Sequence, residues 1–121
     1  MSMEIGTRLS EQIGRYLDVA TSEIKLTAAN MANVDTPGYR TVGLDFEAEM
    51  REALEGADQG RPARPPRVRE VDGLISRPDG NNVSMDREGL NLAEAQLKFK
   101  MGVALLRTEN QTVLDAIHAD K

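Results

Sequence analysis

The first third of the sequence carries one apolar stripe that ends at Thr36-Pro37-Gly38-Tyr39, and that break constrains everything after it. Ile5, Leu9, Ile13, Tyr16 or Leu17, Ala20, Ile24, Thr27 or Ala28, and Met31 recur at intervals of three and four residues. Such spacing marks one face of an α-helix, here running from Ser2 or Met3 to Asn33. Arg8, Glu11, Arg15, Asp18 and Lys25 fall mostly off that face. Pro37 fixes its own φ and drives Thr36 out of the α region, so the helix cannot pass through. Pro followed by Gly at the two central positions specifies a type II turn, whose third residue needs φ > 0. The chain must therefore leave a long helix through a sharply turned hook. At ~1.5 Å per residue that helix spans roughly 45 Å, longer than a small globule needs, and Gly6 and Gly14 each weaken it by about 1 kcal/mol relative to Ala. A helix of this kind is marginal in water and requires a partner.

The partner is legible at the other end. Ser84 is a good N-cap, and Asp86 and Glu88 suit the positive end of a helix dipole over residues 83–121. Leu92, Phe99, Val103, Leu106, Val113 and Ile117 define a coiled-coil-like seam, with Gln96 and Asn110 as its polar members. Beside it runs a second stripe of Leu90, Ala93, Leu97, Met101, Ala104 and Thr108. Two adjacent stripes make a face wider than one partner helix covers. The expectation is that residues 1–33 pair with one stripe and leave the other for assembly.

Between the two helices the signals are weaker. Asp45 can cap a short helix from Phe46 to Leu54, with Phe46, Met50 and Leu54 on one face and Gly56 as its stop, so that hook and short helix occupy residues 34–56. Residues 57–82 are rich in Pro, Gly, Arg and Asp and offer only Val68, Val71, Leu74 and Ile75 for burial, which predicts a largely disordered, mobile loop. Arg61-Pro-Ala-Arg-Pro-Pro-Arg67 has the extended character of polyproline II, most simply as a solvated linker. The expected fold is thus mainly α: a single domain in which long terminal helices form a coiled-coil-like hairpin.

Composition narrows function by exclusion. At 121 residues with two Phe, two Tyr and no Trp, the chain has few large anchors for a self-sufficient core. A net charge of −5 opposes general nucleic-acid binding, which draws on phosphate neutralisation. Absence of cysteine removes disulfides and thiolate chemistry. No apolar run approaches the ~20 residues of a membrane span, and MSMEIGTRLSEQIG lacks the basic start and apolar core of a cleaved secretory signal. His118 is the only histidine, so neither a zinc cluster nor a Ser-His-Asp set can be assembled around it. Asp79-Gly-Asn-Asn-Val-Ser84 begins like a calcium loop but places Ser84 where Gly is needed and Leu90 where Glu is needed. Glu47/Glu49 and Glu94/Glu109 fall on solvent faces, Asn82-Val-Ser84 and Asn110-Gln-Thr112 match only a short glycosylation triplet, and Met3, Met31, Met50, Met85 and Met101 fill apolar faces. No catalytic, cofactor or metal residues emerge.

Two motifs resemble a known family. Ala28, Asn30, Ala32, Asn33, Thr36, Gly38, Tyr39 and Arg40, with Pro37 between them, fill the A-x-N-x-A-N-x-x-T-x-G-Y-[KR] signature of bacterial flagellar rod and hook axial proteins. Asp79-Gly-Asn-Asn-Val83, Asp86, Glu88, Leu92, Ala93, Gln96 and Phe99 are similar to the block that opens the family's C-terminal helix, although Gly89 is an odd choice there. The short middle and Leu44-Asp45-Phe46-Glu47 point within that family to proximal rod subunits. The resemblance implies a structural, non-catalytic subunit of the flagellar basal body, at the base of the periplasmic rod that serves as drive shaft and export channel. It implies export through the flagellar type III apparatus without a cleaved signal. Its implied partners are other copies of itself, the adaptor FliE, the MS ring, and the rod proteins FlgC, FlgF and FlgG. Ile13, Leu17, Ile24, Met31, Leu92, Phe99, Val103, Leu106, Val113 and Ile117 would be the assembly interface, and Phe46 and Met50 an export signal. A soluble helical adaptor or secretion chaperone is the rival class, and it would not need the hook.

Overall fold

The computed structural model describes residues 2–119, with side chains described from residue 8 onward. Met1, Asp120 and Lys121, expected in the terminal helices, lie outside the described residues, as do the side chains of Met3 and Ile5. Three helices and one small ladder make up the fold: α1 (Ser2–Ala32), β1 (Val42–Gly43), α2 (Phe46–Asp58), β2 (Arg69–Glu70) and α3 (Met85–Ala119). The two long helices run antiparallel. Asn30 of α1 meets Glu88 of α3 at 3.2 Å, Glu23 meets Lys98 at 3.3 Å, and Tyr16 and Leu17 flank Gly102, so numbers fall on one helix as they rise on the other.

The seam between them is coiled-coil-like in spacing but differs from the expected one. On α3 the buried residues are Glu88, Ala95 and Gly102, with Leu92, Leu106 and Val113 half-buried between and beyond them. Those positions are separated by four, three or seven residues, the spacing of a heptad seam. Gln96 and Asn110, expected in the seam, are exposed, and Val103 is only half-buried. Leu92, Leu106 and Val113 keep their places while Ala95 and Gly102 take those of Gln96 and Val103, and the reason is size. Ala20 and Ala95 are both 0 % exposed, and a Cβ added to Gly102 would fall 2.5 Å from Leu17 Cδ2. Small residues let the two backbones approach closely and recover dispersion contacts that a wider, Val-lined seam would forfeit. The second stripe stays open: Leu90, Ala93, Leu97, Met101, Ala104 and Thr108 are all exposed, with Leu105 beside them.

α2 crosses α1 at a polar-aromatic junction. The Tyr16 ring meets Phe46 edge-on at 5.8 Å, and Lys98 Nζ lies 3.8 Å above the Phe46 ring while also pairing with Glu23. One lysine thus ties all three helices together. Asp45 caps α2, its carboxylate accepting from the Ala48 N–H at 3.1 Å. The helix does not stop at Gly56, however. It continues to Asp58, and Gly60 at φ +71° follows the last turn instead. Gly56 is instead a packing residue, buried where Arg15 crosses, with the guanidinium 3.0 Å from where its Cβ would be.

The middle of the chain is not the disordered loop its composition predicts. Arg61 N–H donates to Gly56 C=O at 2.7 Å, Arg15 donates to Arg61 C=O, and Arg67 N–H donates to Glu49 Oε1 at 3.1 Å. That last bond also explains why Glu49, expected on a solvent face, is buried. Together these bonds anchor a proline-rich strap over α1 and α2, roofing a groove of about 550 Å³ lined by Val19, Ala53, Pro62 and Pro65 among others. Farther on, β2 pairs antiparallel with β1 (Val42 opposite Glu70) and Val71 N–H donates to Thr41 C=O at 2.9 Å. Composition fails here because the segment borrows its partners from helices and from the hook, where no local pattern records them. No described helix is long and apolar enough to cross a membrane.

Candidate functional site

At the closed end of the hairpin the hook folds onto residues 77–83. Gly38 sits at φ +76° and Tyr39 N–H donates to Thr36 C=O at 3.2 Å, as the Pro-Gly type II turn requires. Asn30, in the last turn of α1 and 1 % exposed, uses all of its side-chain hydrogen-bonding capacity. Its Nδ2 donates to Val42 C=O at 2.8 Å and to Glu88 Oε2 at 3.2 Å, and its Oδ1 accepts from Tyr39 O–H at 2.9 Å and Val42 N–H at 3.1 Å. The amide therefore pairs with Val42 as a further strand would, in addition to β2. Asn33 holds the helix end more loosely, through solvent-facing bonds: it donates to Ala29 C=O at 2.8 Å and accepts from Thr36 O–H at 3.0 Å.

The opposing block supplies two further asparagines. Asn81 Nδ2 donates to Asn33 C=O at 2.9 Å and Thr36 C=O at 2.8 Å, a second donor for carbonyls that already accept from Thr36 N–H and Tyr39 N–H. Its Oδ1 accepts from Val83 N–H at 2.8 Å, and its backbone is fixed by Asp79 Oδ1 and by Arg77 N–H. Asn82 Oδ1 accepts from Thr41 N–H at 2.6 Å while its carbonyl accepts from the Thr41 hydroxyl at 3.2 Å. Gly38 N–H donates to Asp79 C=O at 2.9 Å, and Gly80, at φ +87°, is so close that its Cβ would stand 3.4 Å from Gly38 Cα. Arg77 reaches back to Val34 C=O and Arg40 to Ser76 and Gly80 C=O. The two motif blocks, remote in sequence, are one interlocked unit. Among the described residues no buried side-chain polar atom lacks a partner.

Glu88 is the deepest charge in this unit, 1 % exposed, held by Arg87 at 2.7 Å on one oxygen and by Asn30 on the other. Burial raises the pKa of the nearby Tyr39 hydroxyl, and the Glu88 carboxylate raises it further. Tyr16 behaves alike, raised first by burial and then by Glu23. Both hydroxyls stay protonated, as neutral donors, through the neutral range. Among the described residues no cluster of His, Cys, Asp or Glu could hold a metal ion.

Of the residues named from sequence, Asn30 is buried, Asn33 and Tyr39 half-buried, and Ala32, Thr36, Pro37 and Gly38 exposed on the rim of the hook. Ile13 is buried, while Leu17, Ile24, Met31, Leu92, Val103, Leu106 and Val113 are half-buried along the hairpin. Phe99 and Ile117 are largely exposed, at 37 % and 38 %. Phe46 and Met50 are both half-buried on α2, and Phe46 packs on Tyr16 and under Lys98. Sequence reasoning did not single out Thr41 or Arg77, and named Asn81, Asn82 and Glu88 only as members of the second motif block. The available signal was the pair of asparagines directly after Pro78-Asp79-Gly80, since asparagine after a turn commonly bonds backbone.

No family model matches the chain. The chain is 29% identical over 119 residues to the flagellar basal body rod protein FlgB of Salmonella typhimurium, covering 84% of this chain and 86% of that one. It is 28% identical over 116 residues to FlgB of Proteus mirabilis, covering 81% and 85%. With FlgB of Yersinia ruckeri it shares 30% identity over 111 residues, 74% of this chain and 79% of its relative. Identity at that level, across most of both chains, places the chain in the FlgB family of flagellar basal body rod proteins.

Proposed function

We propose that this chain is a subunit of the proximal rod, assembling through its terminal helices with further copies of itself into the drive shaft and export channel of the flagellum. The observation that carries the reading is the open stripe on α3. Leu90, Leu97, Met101 and Leu105 are 54–62 % exposed along one helix whose neighbouring seam is already occupied by α1. A stripe of that length is an interaction surface, and the interlocked hook fixes the angle at which chain leaves the hairpin. Neighbouring subunits would supply the buried area that a core of small residues lacks, coupling folding to assembly. FliE and the MS ring at the base, and FlgC, FlgF and FlgG beyond, are the expected neighbours. The expected location is the periplasmic rod, reached through the flagellar export apparatus without a cleaved signal.

Deletion of the gene tests the reading. Loss of swimming, with electron micrographs showing rings but no rod, is the expected result; normal flagella would refute it. A soluble helical adaptor would instead form a stable dimer in solution and leave basal bodies intact on deletion. Phe46 and Met50 as an export signal stand or fall with secretion of a Phe46→Leu protein: Leu keeps an apolar contact for Tyr16, so lost secretion of a folded protein points to the signal. Undiminished secretion assigns Phe46 to packing alone.

A further inference from the structure

The proline-rich strap carries a charge pattern that the hairpin does not explain. Residues 61–69 hold Arg61, Arg64, Arg67 and Arg69 and no acidic residue. The net charge of the whole chain is −5, so these four positive charges leave −9 for the rest. Pro62, Pro65 and Pro66 each fix φ and hold the preceding residue extended. In a polyproline II conformation, with three residues per turn and a rise of ~3.1 Å, Arg61, Arg64 and Arg67 recur on one edge about 9 Å apart. Among the described residues few carboxylates meet them. Arg61 and Arg64 share the single carboxylate of Glu52 at 3.6 and 3.5 Å, and Arg69 reaches only Asp45 at 3.8 Å with 71 % of its side chain exposed. Among the described residues no carboxylate pairs with the Arg67 guanidinium, although its backbone N–H anchors the strap to Glu49.

We infer that the strap is a contact between copies of this chain, the arginine edge of one copy docking on the acidic body of the next. The occupant follows from charge complementarity: every copy presents a concentrated positive strip and, elsewhere, a surplus of negative charge that a second strip can meet. The two surfaces are different, so the contact is heterologous. Such contacts propagate into rings or open helical arrays rather than closing as a two-fold dimer. This inference rests on the rod-subunit reading, and adds to it a lateral, salt-sensitive contact separate from the apolar stripe of α3.

The full-length protein tests it by sedimentation velocity in about 20 mM and about 0.5 M NaCl, conditions on either side of the ~10 Å screening length of 0.1 M salt. Self-association at low salt should be suppressed at high salt, and Arg64→Gln with Arg67→Gln should weaken it at least tenfold. Arg64→Lys with Arg67→Lys should retain it, and unchanged far-UV circular dichroism should show that all variants are folded. Wild-type protein that stays monomeric at both salts, association indifferent to salt, or a Gln variant that associates like wild type would each overturn the inference. So would a strap whose arginines bind phosphatidylglycerol vesicles while the chain shows no self-association. The rod reading fails separately, by normal flagella in the deletion strain.

Discussion

Replacing Asn30 by Ala removes a side chain of α1 that touches the hook, β1 and α3 at once. Four hydrogen bonds disappear: two to the backbone of Val42, one from Tyr39 and one to Glu88. They do not count equally. The Tyr39 hydroxyl is half-buried and can turn to water, so its loss costs little. The N–H and C=O of Val42 are half-buried and cost about 1 kcal/mol each when left open. Glu88 is the expensive partner, because its carboxylate is 1 % exposed and would keep only Arg87. Leaving part of a buried charge without a donor costs about 2 kcal/mol. The expected total is about 4 kcal/mol, a large share of the roughly 6–18 kcal/mol that a domain of this length holds. Urea unfolding followed by circular dichroism should show that loss, and native-state hydrogen exchange should show the Val42 amide opening several hundred-fold (roughly a factor of ten per 1.4 kcal/mol) more often. Asn33→Ala is the control: its bonds are exposed, and its cost should stay below about 1 kcal/mol. Equal effects of the two substitutions, or an unchanged Val42 amide in Asn30→Ala, would refute the interlock as the source of stability.

Gly38→Val should destabilise the hook by about 1–3 kcal/mol and abolish swimming; no atom stands within 4 Å of the new Cβ, so the whole cost is the positive φ, and a motile strain would contradict it. Gly102→Val should lower the urea midpoint by about 1–3 kcal/mol of stability despite the helix-propensity gain of roughly 1 kcal/mol over Gly, because Leu17 and the Tyr16 ring already fill the space; an unchanged or raised midpoint would mean that the helices separate freely. The two tyrosines are the only ones in the chain, and both are raised above 10.0, so an absorbance titration of the folded protein should show no phenolate forming at the ordinary position seen in urea. A raised folded-state pKa means that the folded chain holds its protons longer, so this stabilisation is complete below about pH 10 and fades as pH climbs through the folded values. A titration that overlays that of the unfolded chain would remove the assigned burial of both hydroxyls.

The helices and the hook were legible because their causes are local. Spacing of apolar residues places α1 and α3, Pro37-Gly38 specifies the turn, and Asp45 announces the start of α2. What the sequence hid depends on approach distance or on remote partners. Apolar size ranks Val103 above Gly102 as a seam residue, yet close packing prefers the residue with no side chain at all. Gly56 reads as a helix stop when its neighbours are invisible; next to Arg15 it is a residue kept small inside a helix that continues. The middle segment reads as disorder because its backbone is satisfied by Arg15, Glu49 and Thr41, none of them its own neighbours in a periodic pattern. Asn30 was visible as part of a motif, whereas its pairing with Glu88 needed the antiparallel register of the hairpin.

The interlock closes the chain upon itself at Tyr39–Thr41 and Asn81–Asn82, so everything from residue 43 to residue 76 is, topologically, a loop whose base is already clamped. Widening such a loop costs little, only about 0.6 kcal/mol for each doubling of its length. The hairpin should therefore accept foreign sequence at the exposed Ala63 or Val68 with its helical register intact, whereas a single residue inserted between Gly38 and Thr41 would shift every bond in the clamp. The clamp thus separates the length of the strap from the geometry of the two long helices: the one can change while the other stays constant.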